Sequence, residues 1–281
     1  HLCEKLLELN YKVICVDNLQ TGSLQNINNL LKLNEFEFIK HDINLTIDLN
    51  VDFIFNLACP ASPVQYQKNP VSTIKTNVLG TLNMLELAKK NNARILQAST
   101  SEVYGDPLEH PQQETYWGNV NPIGIRACYD EGKRAAETLF YDFNRQFELD
   151  IRVARIFNTY GPKMAVNDGR VVSNFIVQAL KGNPITIYGD GSQTRSFCYV
   201  DDLILGLMKL MFSSNRILPV NLGNPEEVEI TYLAEIICEI NNNNMSTINQ
   251  SMPIDDPCRR KPNIEVATRE LKWSPMVKLR D

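Results

Sequence analysis

Short apolar segments alternate with helix-forming segments through the first half of the sequence, and this alternation constrains the fold more than any other feature. Segments typical of β-strands occupy residues 12–16, 36–39, 51–57, 93–97 and 151–155. Segments with apolar residues at helical spacing occupy residues 2–9, 71–90 and 129–146. Strands that alternate with helices pair in parallel and are covered on both faces. The sequence therefore predicts an α/β fold with a doubly wound parallel sheet.

The alternation weakens after Gly161-Pro162. Residues 162–281 hold most of the Gly and Pro turns and two short predicted helices, at 172–181 and 231–240. Open α/β sheets bind their ligands beyond the carboxyl ends of the strands. We therefore expect residues 1–161 to form the main domain, and residues 162–281 to form mainly a smaller lobe that closes over those strand ends and binds substrate.

Composition and charge exclude several classes of function. Of the 281 residues, 43% are apolar and 22% are charged, which is typical of a globular protein. The net charge of −5 opposes binding to nucleic acid, and an anionic substrate would need a local cluster of arginines. The seven cysteines show no CxxC spacing, so we expect free thiols and no metal site. No segment approaches the ~18 consecutive apolar residues of a membrane span.

An acid, Asp17, follows the predicted strand 12–16. A carboxylate at this place in a strand–helix–strand unit accepts hydrogen bonds from both ribose hydroxyls of a dinucleotide and repels a 2′-phosphate, which favours NAD over NADP. The glycine-rich loop that accompanies such an acid would precede the helix 2–9, and this sequence begins at His1. We expect that loop and the first strand to occupy roughly the ten residues before His1. The alternative is a chain without a phosphate-binding loop.

Tyr129 and Lys133 are four residues apart in the predicted helix 129–146 and therefore share one face of it. A nearby ammonium favours the phenolate, although lowering a tyrosine pKa by ~3 units takes about 4 kcal/mol. A phenolate could remove the proton of a sugar hydroxyl while a hydride leaves the same carbon for NAD. The Tyr-x-x-x-Lys spacing alone is common on surface helices, so it needs support from other residues.

That support comes from Ser99-Thr-Ser-Glu-Val-Tyr-Gly105, which follows the predicted strand 93–97. Hydroxyls and a carboxylate here lie at the carboxyl end of a strand, where a ligand would bind. Thr100 would hydrogen-bond the reacting hydroxyl beside Tyr129, and Ser101 and Glu102 would reach further along the sugar. The alternative is a strand-end turn in which Ser and Thr form only local hydrogen bonds.

Long runs across nearly the whole chain resemble the extended short-chain dehydrogenase/reductases and, among them, the UDP-glucuronate decarboxylases. The first runs are Asn56-Leu-Ala-Cys-Pro-Ala-Ser-Pro63, Asn77-Val-Leu-Gly-Thr-Leu-Asn83, Ser99-Thr-Ser-Glu-Val-Tyr-Gly-Asp106, Tyr116-Trp-Gly-Asn-Val-Asn-Pro122 and Cys128-Tyr-Asp-Glu-Gly-Lys133. Later runs are Arg155-Ile-Phe-Asn-Thr-Tyr-Gly-Pro162, Asp168-Gly-Arg-Val-Val-Ser-Asn-Phe175, Gln193-Thr-Arg-Ser-Phe197 and Asp255-Asp-Pro257. The resemblance implies a Rossmann-type fold that lacks its first strand and glycine loop, NAD as cofactor, and decarboxylation of UDP-glucuronate to UDP-xylose through a 4-keto intermediate.

The resemblance also implies the site residues. The catalytic positions would be Tyr129, Lys133, Thr100, Ser101, Glu102 and Arg260. The NAD-binding positions would be Asp17, Asn18, Thr21, Asp42, Ile43, Leu57 and Ala58, with Tyr129 and Lys133. The positions that bind the UDP-sugar would be Asn158, Arg170, Tyr188, Gln193, Arg195 and Arg260. Ser101 and Glu102 would face the sugar carboxylate and help to protonate the enolate carbon, and Arg260 would orient that carboxylate.

Three other functions stay open. Sugar-nucleotide 4,6-dehydratases carry an acid where this chain has Ser101, and a 4-epimerase would need neither Glu102 nor the Cys59-Pro60 run. A non-catalytic protein that binds a sugar nucleotide is the third. The resemblance further implies a homodimer through helices 71–90 and 128–147, in either the cytoplasm or the Golgi lumen.

Overall fold

The computed structural model describes residues 1–214, 218–241, 246–252 and 259–281. The run Asp255-Asp-Pro257, one of those that carry the resemblance, lies outside these described residues. Within the described ranges, no helix combines the length and the apolar character needed to cross a membrane.

The first half of the chain forms the alternating strands and helices that its apolar pattern predicts. In chain order these are α1 (Leu2–Glu8), β1 (Val13–Asp17), β2 (Phe36–Lys40), β3 (Phe53–Asn56), α2 (Pro63–Lys68), α3 (Pro70–Lys75), α4 (Thr81–Asn91), β4 (Arg94–Thr100), α5 (Ala127–Phe147) and β5 (Ile151–Ile156). Strands β3, β4 and β5 pair in parallel. Neighbouring residues of β4 are buried on opposite faces of the sheet. Ile95 belongs to the core cluster that contains Phe140 of α5, and Leu96 belongs to the cluster that contains Trp273. The doubly wound α/β fold is therefore confirmed.

The helix predicted at 71–90 is present as one continuous helical segment, and it contains a π-helical turn that the prediction did not include. A π-helical turn at Thr76–Gly80 separates α3 from α4. The turn buries the side chain of Asn77. An inserted residue of this kind leaves the apolar spacing on each side intact, so periodicity alone does not reveal it.

The second half forms shorter elements. They are β6 (Thr159–Tyr160), α6 (Val171–Leu180), β7 (Ile185–Tyr188), β8 (Thr194–Ser196), β9 (Cys198–Tyr199), α7 (Val200–Met211), β10 (Val220–Leu222), β11 (Glu227–Glu229), α8 (Ile230–Ile240), β12 (Thr247–Gln250), β13 (Arg259–Arg260) and α9 (Glu265–Leu271). Strand β10 pairs in parallel with β5 and extends the main sheet. Helix α7 packs on that sheet through Leu203 and Leu207. The division of the chain at residue 161 stays a prediction, and the structure adds that β10 extends the sheet of the first half and α7 packs on it.

The parallel pair β1–β2 is not hydrogen-bonded to the four-stranded sheet β10-β5-β4-β3. A cavity of about 1090 Å³ lies between them and is lined by every residue of β1 and of β3. The expectation of a further strand and a glycine loop concerns residues before His1 and stays a prediction.

Candidate active site

The segment with several hydroxyl groups, residues 99–105, begins inside the sheet. Strand β4 extends three residues beyond its predicted end, so Thr100 is its last residue. The Thr100 hydroxyl accepts a hydrogen bond from the Glu102 backbone N–H at 3.2 Å and starts a 3₁₀ turn at Ser101–Tyr104. Gly105 then takes a φ of +63°, and a Cβ there would lie 2.0 Å from the Asn119 carbonyl oxygen. Only glycine allows this close reversal.

The first turn of α5 brings Tyr129 next to the end of β4. Its hydroxyl lies close to the side chain of Thr100. Lys133, one helical turn further on, donates to the Ala98 carbonyl oxygen at 2.7 Å. The Lys133 Nζ lies 5.8 Å from the centre of the Tyr129 ring. The structure thus brings Tyr129, Lys133 and Thr100 together, with the buried Ser101 and the partly buried Glu102 next to them.

The lowering of the Tyr129 pKa expected from Lys133 is opposed in this structure. Burial raises the pKa of Tyr129, and the Cys59 thiol adds to that rise. Burial also lowers the pKa of Lys133. Because desolvation disfavours both charged forms, the phenolate needs further positive charge from whatever binds beside it.

Glu102 lies between two arginines. One of its carboxylate oxygens accepts a hydrogen bond from Arg260, and the other accepts from Arg126 Nη2 at 2.6 Å. Burial alone would raise the pKa of Glu102, but the Arg260 and Arg126 guanidiniums hold it at about 2. Glu102 is therefore ionised at neutral pH and accepts hydrogen bonds.

Arg126 and Asp130 belong to this cluster, and sequence reasoning missed both. Arg126 Nε lies 4.0 Å from a carboxylate oxygen of Asp130, and both side chains are buried. Burial and the nearby Glu102 raise the pKa of Asp130 to about 7. The available signal was their spacing, since residues 126 and 130 are one turn apart at the start of the helix that carries Tyr129.

The residues expected to bind the UDP-sugar lie on neighbouring elements of the second half. In the parallel pair β8–β13, Arg195 is the register partner of Arg260, and both are buried. Tyr188 ends β7, and its carbonyl oxygen accepts a hydrogen bond from the Gln193 side chain at 2.7 Å. These four residues supply two buried positive charges and exposed polar groups.

Two expected UDP-sugar positions have other partners in this structure. Arg170 forms two hydrogen bonds with the Asp168 carboxylate, at 2.6 and 2.9 Å. The Asn158 carbonyl oxygen accepts from the Cys198 backbone N–H at 2.9 Å. Arg170 would have to exchange Asp168 for a phosphate in order to bind the nucleotide.

The expected cofactor positions meet at the carboxyl ends of β1, β2 and β3. Asp17, Ile43, Leu57 and Ala58 line the large cavity, and Arg170 lines it from the opposite half of the chain. Asn18, Thr21 and Asp42 do not line it. The Asn18 amide donates to the Asp42 carboxylate at 3.2 Å, and Thr21 is exposed.

The Asp17 end of the cavity fits the ribose of a dinucleotide. One Asp17 oxygen accepts from the Leu19 backbone N–H at 2.6 Å. A Cβ on Gly22 would lie 3.1 Å from the other oxygen, so glycine here lets the chain pass close to the carboxylate.

Comparisons with known proteins agree with this geometry. Residues 1–223 match the model of the NAD dependent epimerase/dehydratase family. The chain is 55% identical over 281 residues to UDP-glucuronic acid decarboxylase 1 of Arabidopsis thaliana, covering 100% of this chain and 64% of that protein. It is 56% identical over 283 residues to UDP-glucuronic acid decarboxylase 3 of the same plant, covering 100% of this chain and 82% of that protein. The chain thus spans about two thirds to four fifths of the length of these relatives.

A solved structure shows the same fold. The UDP-glucuronic acid 4-epimerase from Bacillus cereus, in complex with UDP-glucuronic acid and NAD, superposes with a TM-score of 0.90 at 27% identity, covering 100% of this chain and 91% of that one.

Proposed function

Because the chain belongs to the NAD dependent epimerase/dehydratase family, we propose that it acts with NAD as a UDP-glucuronate decarboxylase. The products would be UDP-xylose and carbon dioxide. The observation that carries this proposal is identity of 55–56% along the whole chain to decarboxylases of Arabidopsis thaliana. The likeness to epimerases is weaker, at 27% identity.

The residues present fit NAD. Asp17 would accept the adenosine ribose hydroxyls, and Leu57 and Ala58 would line the floor of the site between Asp17 and Tyr129. When bound, NAD accepts a hydride from carbon 4 of the sugar and later returns it. The positive charge of its oxidised ring is the further charge that the Tyr129 phenolate needs.

Tyr129 moves the proton at carbon 4. As the C–H bond at carbon 4 breaks, the proton of the hydroxyl group on that carbon passes to the Tyr129 oxygen, and a ketone forms. Thr100 holds the sugar hydroxyl beside the phenol, since its side chain lies close to the Tyr129 oxygen. Lys133 is fixed by the Ala98 carbonyl oxygen and places its ammonium near the ring.

The carboxylate of the sugar is β to this ketone, and that position makes its loss facile. The bond between carbons 5 and 6 breaks, carbon dioxide leaves, and the electron pair becomes an enolate. A proton from solvent then adds to carbon 5, and Tyr129 returns its own proton to the oxygen on carbon 4. Arg260 orients the carboxylate, and Ser101 lies buried beside it. Glu102, with its pKa held at about 2, orients the two arginines and accepts hydrogen bonds in this arrangement.

We further propose a homodimer through α3, α4 and α5. Val71 and Ile74 on α3 and Leu79 on the following π turn are exposed apolar residues. Their spacing places them on one side of the helical segment, as a helix–helix interface requires.

The test is product analysis. The protein with NAD and UDP-glucuronate should release carbon dioxide and UDP-xylose in equal amounts. Tyr129→Phe keeps the ring, removes the proton-transferring oxygen, and should lower the rate at least ~100-fold. Formation of the carbon-4 epimer without carbon dioxide would identify a 4-epimerase, and binding without turnover would identify a non-catalytic protein.

A further inference from the structure

The ring of Tyr66 covers one face of the Tyr129 ring. The ring centres are 4.9 Å apart and the two planes differ by 5°. Tyr66 lies in α2, directly after the Cys59-Pro60 segment, and only 1% of it is exposed. No role for it follows from the reaction steps at carbon 4 or at the carboxylate, yet it is the aromatic group in contact with the reacting phenol.

Hydrogen bonds from two neighbouring helices hold Tyr66 in place. Its carbonyl oxygen accepts from the Thr73 hydroxyl of α3 at 3.1 Å and from the Cys128 thiol of α5 at 3.7 Å. Its backbone N–H donates to the Ser62 carbonyl oxygen at 2.9 Å. Cys128 is the residue before Tyr129, so the backbones that carry the two rings are tied together next to the reacting phenol.

Such a contact limits the motion of Tyr129. An offset parallel stack of two aromatic rings is a favoured geometry, and a filled face leaves the side chain no room to rotate away. It also excludes water from that face of the phenol. Proton transfer is sensitive to this, because a displacement of 1 Å at a reacting group can cost about 100-fold in rate.

We propose that Tyr66 is a positioning residue that acts through Tyr129. Its stacked ring holds the phenol oxygen beside Thr100, where the proton of the sugar hydroxyl is transferred. This inference rests on the proposed function and adds a residue to it. Tyr66 itself touches neither the sugar nor the reacting atoms in this assignment.

The ring, and not the hydroxyl, carries this role. Among the residues that the structure describes, the buried Tyr66 hydroxyl has no hydrogen-bond partner. Its surroundings are charged, since Arg126, Glu102 and Asp130 all act on it electrostatically. Removing the hydroxyl therefore breaks no described hydrogen bond, whereas removing the ring uncovers Tyr129.

Two substitutions in the NAD-loaded protein separate the role of the Tyr66 ring from that of its hydroxyl. Tyr66→Leu should lower kcat and the rate of NADH formation after rapid mixing with UDP-glucuronate by about tenfold to hundredfold. The KM for UDP-glucuronate should change less than about threefold, since the substrate contacts are untouched. Tyr66→Phe, which keeps the stack, should lower kcat at most about threefold.

Tyr141→Leu is the matched control. Tyr141 lies on α5, packs in the core beneath α4, and its hydroxyl also lacks a partner among the described residues. This variant loses aromatic packing at a partly buried site away from Tyr129, so its kcat should stay within about twofold. The proposal is overturned if Tyr141→Leu lowers kcat as much as Tyr66→Leu, if Tyr66→Leu keeps full kcat, or if Tyr66→Phe is as impaired as Tyr66→Leu.

A second measurement does not depend on turnover. The measurement uses NMR spectra of protein labelled with ¹³C in its tyrosine rings. The signals of Tyr129 are identified as those that disappear in Tyr129→Phe. They should be narrow and shifted by the neighbouring ring in the unsubstituted protein and in Tyr66→Phe, and should move and broaden in Tyr66→Leu. Unchanged signals in Tyr66→Leu overturn the inference. If the unsubstituted protein releases no carbon dioxide, the proposed function fails and these spectra still decide whether Tyr66 orders Tyr129.

Discussion

Asp130 is the buried carboxyl group most sensitive to pH near the site. Its side chain is 6% exposed, and one of its oxygens has no hydrogen-bond partner within the described part of the chain. Arg126 already donates to Glu102 and lies 4.0 Å from Asp130. Burial, followed by repulsion from Glu102, raises the Asp130 pKa from 3.8 to about 7. Asp130 consequently holds a proton across much of the mildly acidic range.

We expect Asp130→Asn to remove a pH-dependent loss of stability. In the folded protein the Asp130 pKa lies above its unfolded value, so between about pH 4 and pH 7 only the folded state binds this proton. The free energy of unfolding therefore falls as the pH rises through that window, by at most about 1.4 kcal/mol per pH unit. Thermal unfolding should give Asp130→Asn a higher Tm than the unsubstituted protein at pH 8, and a smaller advantage at pH 5.

Asp142→Asn is the control on the same helix, because Asp142 is exposed and pairs with Arg145. Its difference in Tm should change little with pH, since exposed pairs contribute less than about 1 kcal/mol. If Asp130→Asn showed the same flat pH dependence, Asp130 would be ionised throughout and the assignment of its raised pKa would be wrong.

Single residues were predictable where their spacing carried the signal. Tyr129 and Lys133 share a helix face, and Thr100 and Glu102 follow a strand, so sequence alone brought these four together. The contact made by Tyr66 and the burial of Asp130 could not be found in this way, although the spacing of Arg126 and Asp130 hints at a pair. Their roles depend on a ring contact and on burial beside two arginines, which arise only when α2, α5 and β13 pack around the turn after β4.

At the scale of elements, the π turn at Thr76–Gly80 is shaped by its contact with α5. The Asn77 side chain is buried there, and neither of its polar atoms has a partner in the described chain. A Cβ on Gly132 would lie 2.7 Å from the Asn77 amide nitrogen. Glycine at this helix position therefore permits close approach of α5 to the turn, between Tyr129 and Lys133.

Gly132→Ala should destabilise the protein although alanine is the better helix former. The gain in helix propensity is about 1 kcal/mol. Overpacking at a buried contact typically costs 1–3 kcal/mol, and here the clash is with Asn77 on a turn fixed between two helices. Urea unfolding should show a net loss of about 1 kcal/mol, with a lower kcat because α5 shifts relative to Thr100.

Thr138→Ala on the exposed face of α5 provides the comparison, and its free energy of unfolding should stay within about 0.5 kcal/mol of the unsubstituted protein. An increase in stability for Gly132→Ala would mean that the turn relaxes freely. The close contact would then have no part in setting the position of Tyr129.

Element boundaries were predictable where apolar periodicity was long. The 21-residue α5 and the five strands of the first half were found within a few residues. The π turn after α3 was missed because apolar spacing continues on either side of it. Strands β8 and β13 have only three and two residues, too few to show an alternation, so the pairing of Arg195 with Arg260 could not be expected from sequence.

At the scale of the whole molecule, the alternation of strands and helices was sufficient to predict the doubly wound fold. It was not sufficient to predict how the two halves combine. Strand β10 joins the main sheet from a segment that looks like a turn-rich lobe, and α7 covers one face of that sheet. These contacts link distant parts of the chain, and they place the arginines of the second half opposite Tyr129 on the first.

The proposed homodimer would form through exposed apolar residues on α3 and the turn after it. Val71, Ile74 and Leu79 expose 62%, 40% and 44% of their surface, which is unusual for three apolar residues close together on one helical segment. A stable dimer buries about 800 Å² on each partner, and α4 and α5 extend the same surface. Ile74→Glu would bring two like charges together near the dimer axis, so sedimentation equilibrium should show a monomer where the unsubstituted protein is a dimer.

Leu180→Glu tests whether any charge on an exposed apolar position has this effect. Leu180 is 70% exposed at the end of α6, on the second half of the chain, and its substitution should leave the dimer intact. Dissociation by both variants would point to a general loss of solubility or folding, and dissociation by neither would place the interface elsewhere. Because α5 carries both Tyr129 and part of the expected interface, Ile74→Glu should also lower kcat, and that loss should diminish at protein concentrations where the dimer re-forms.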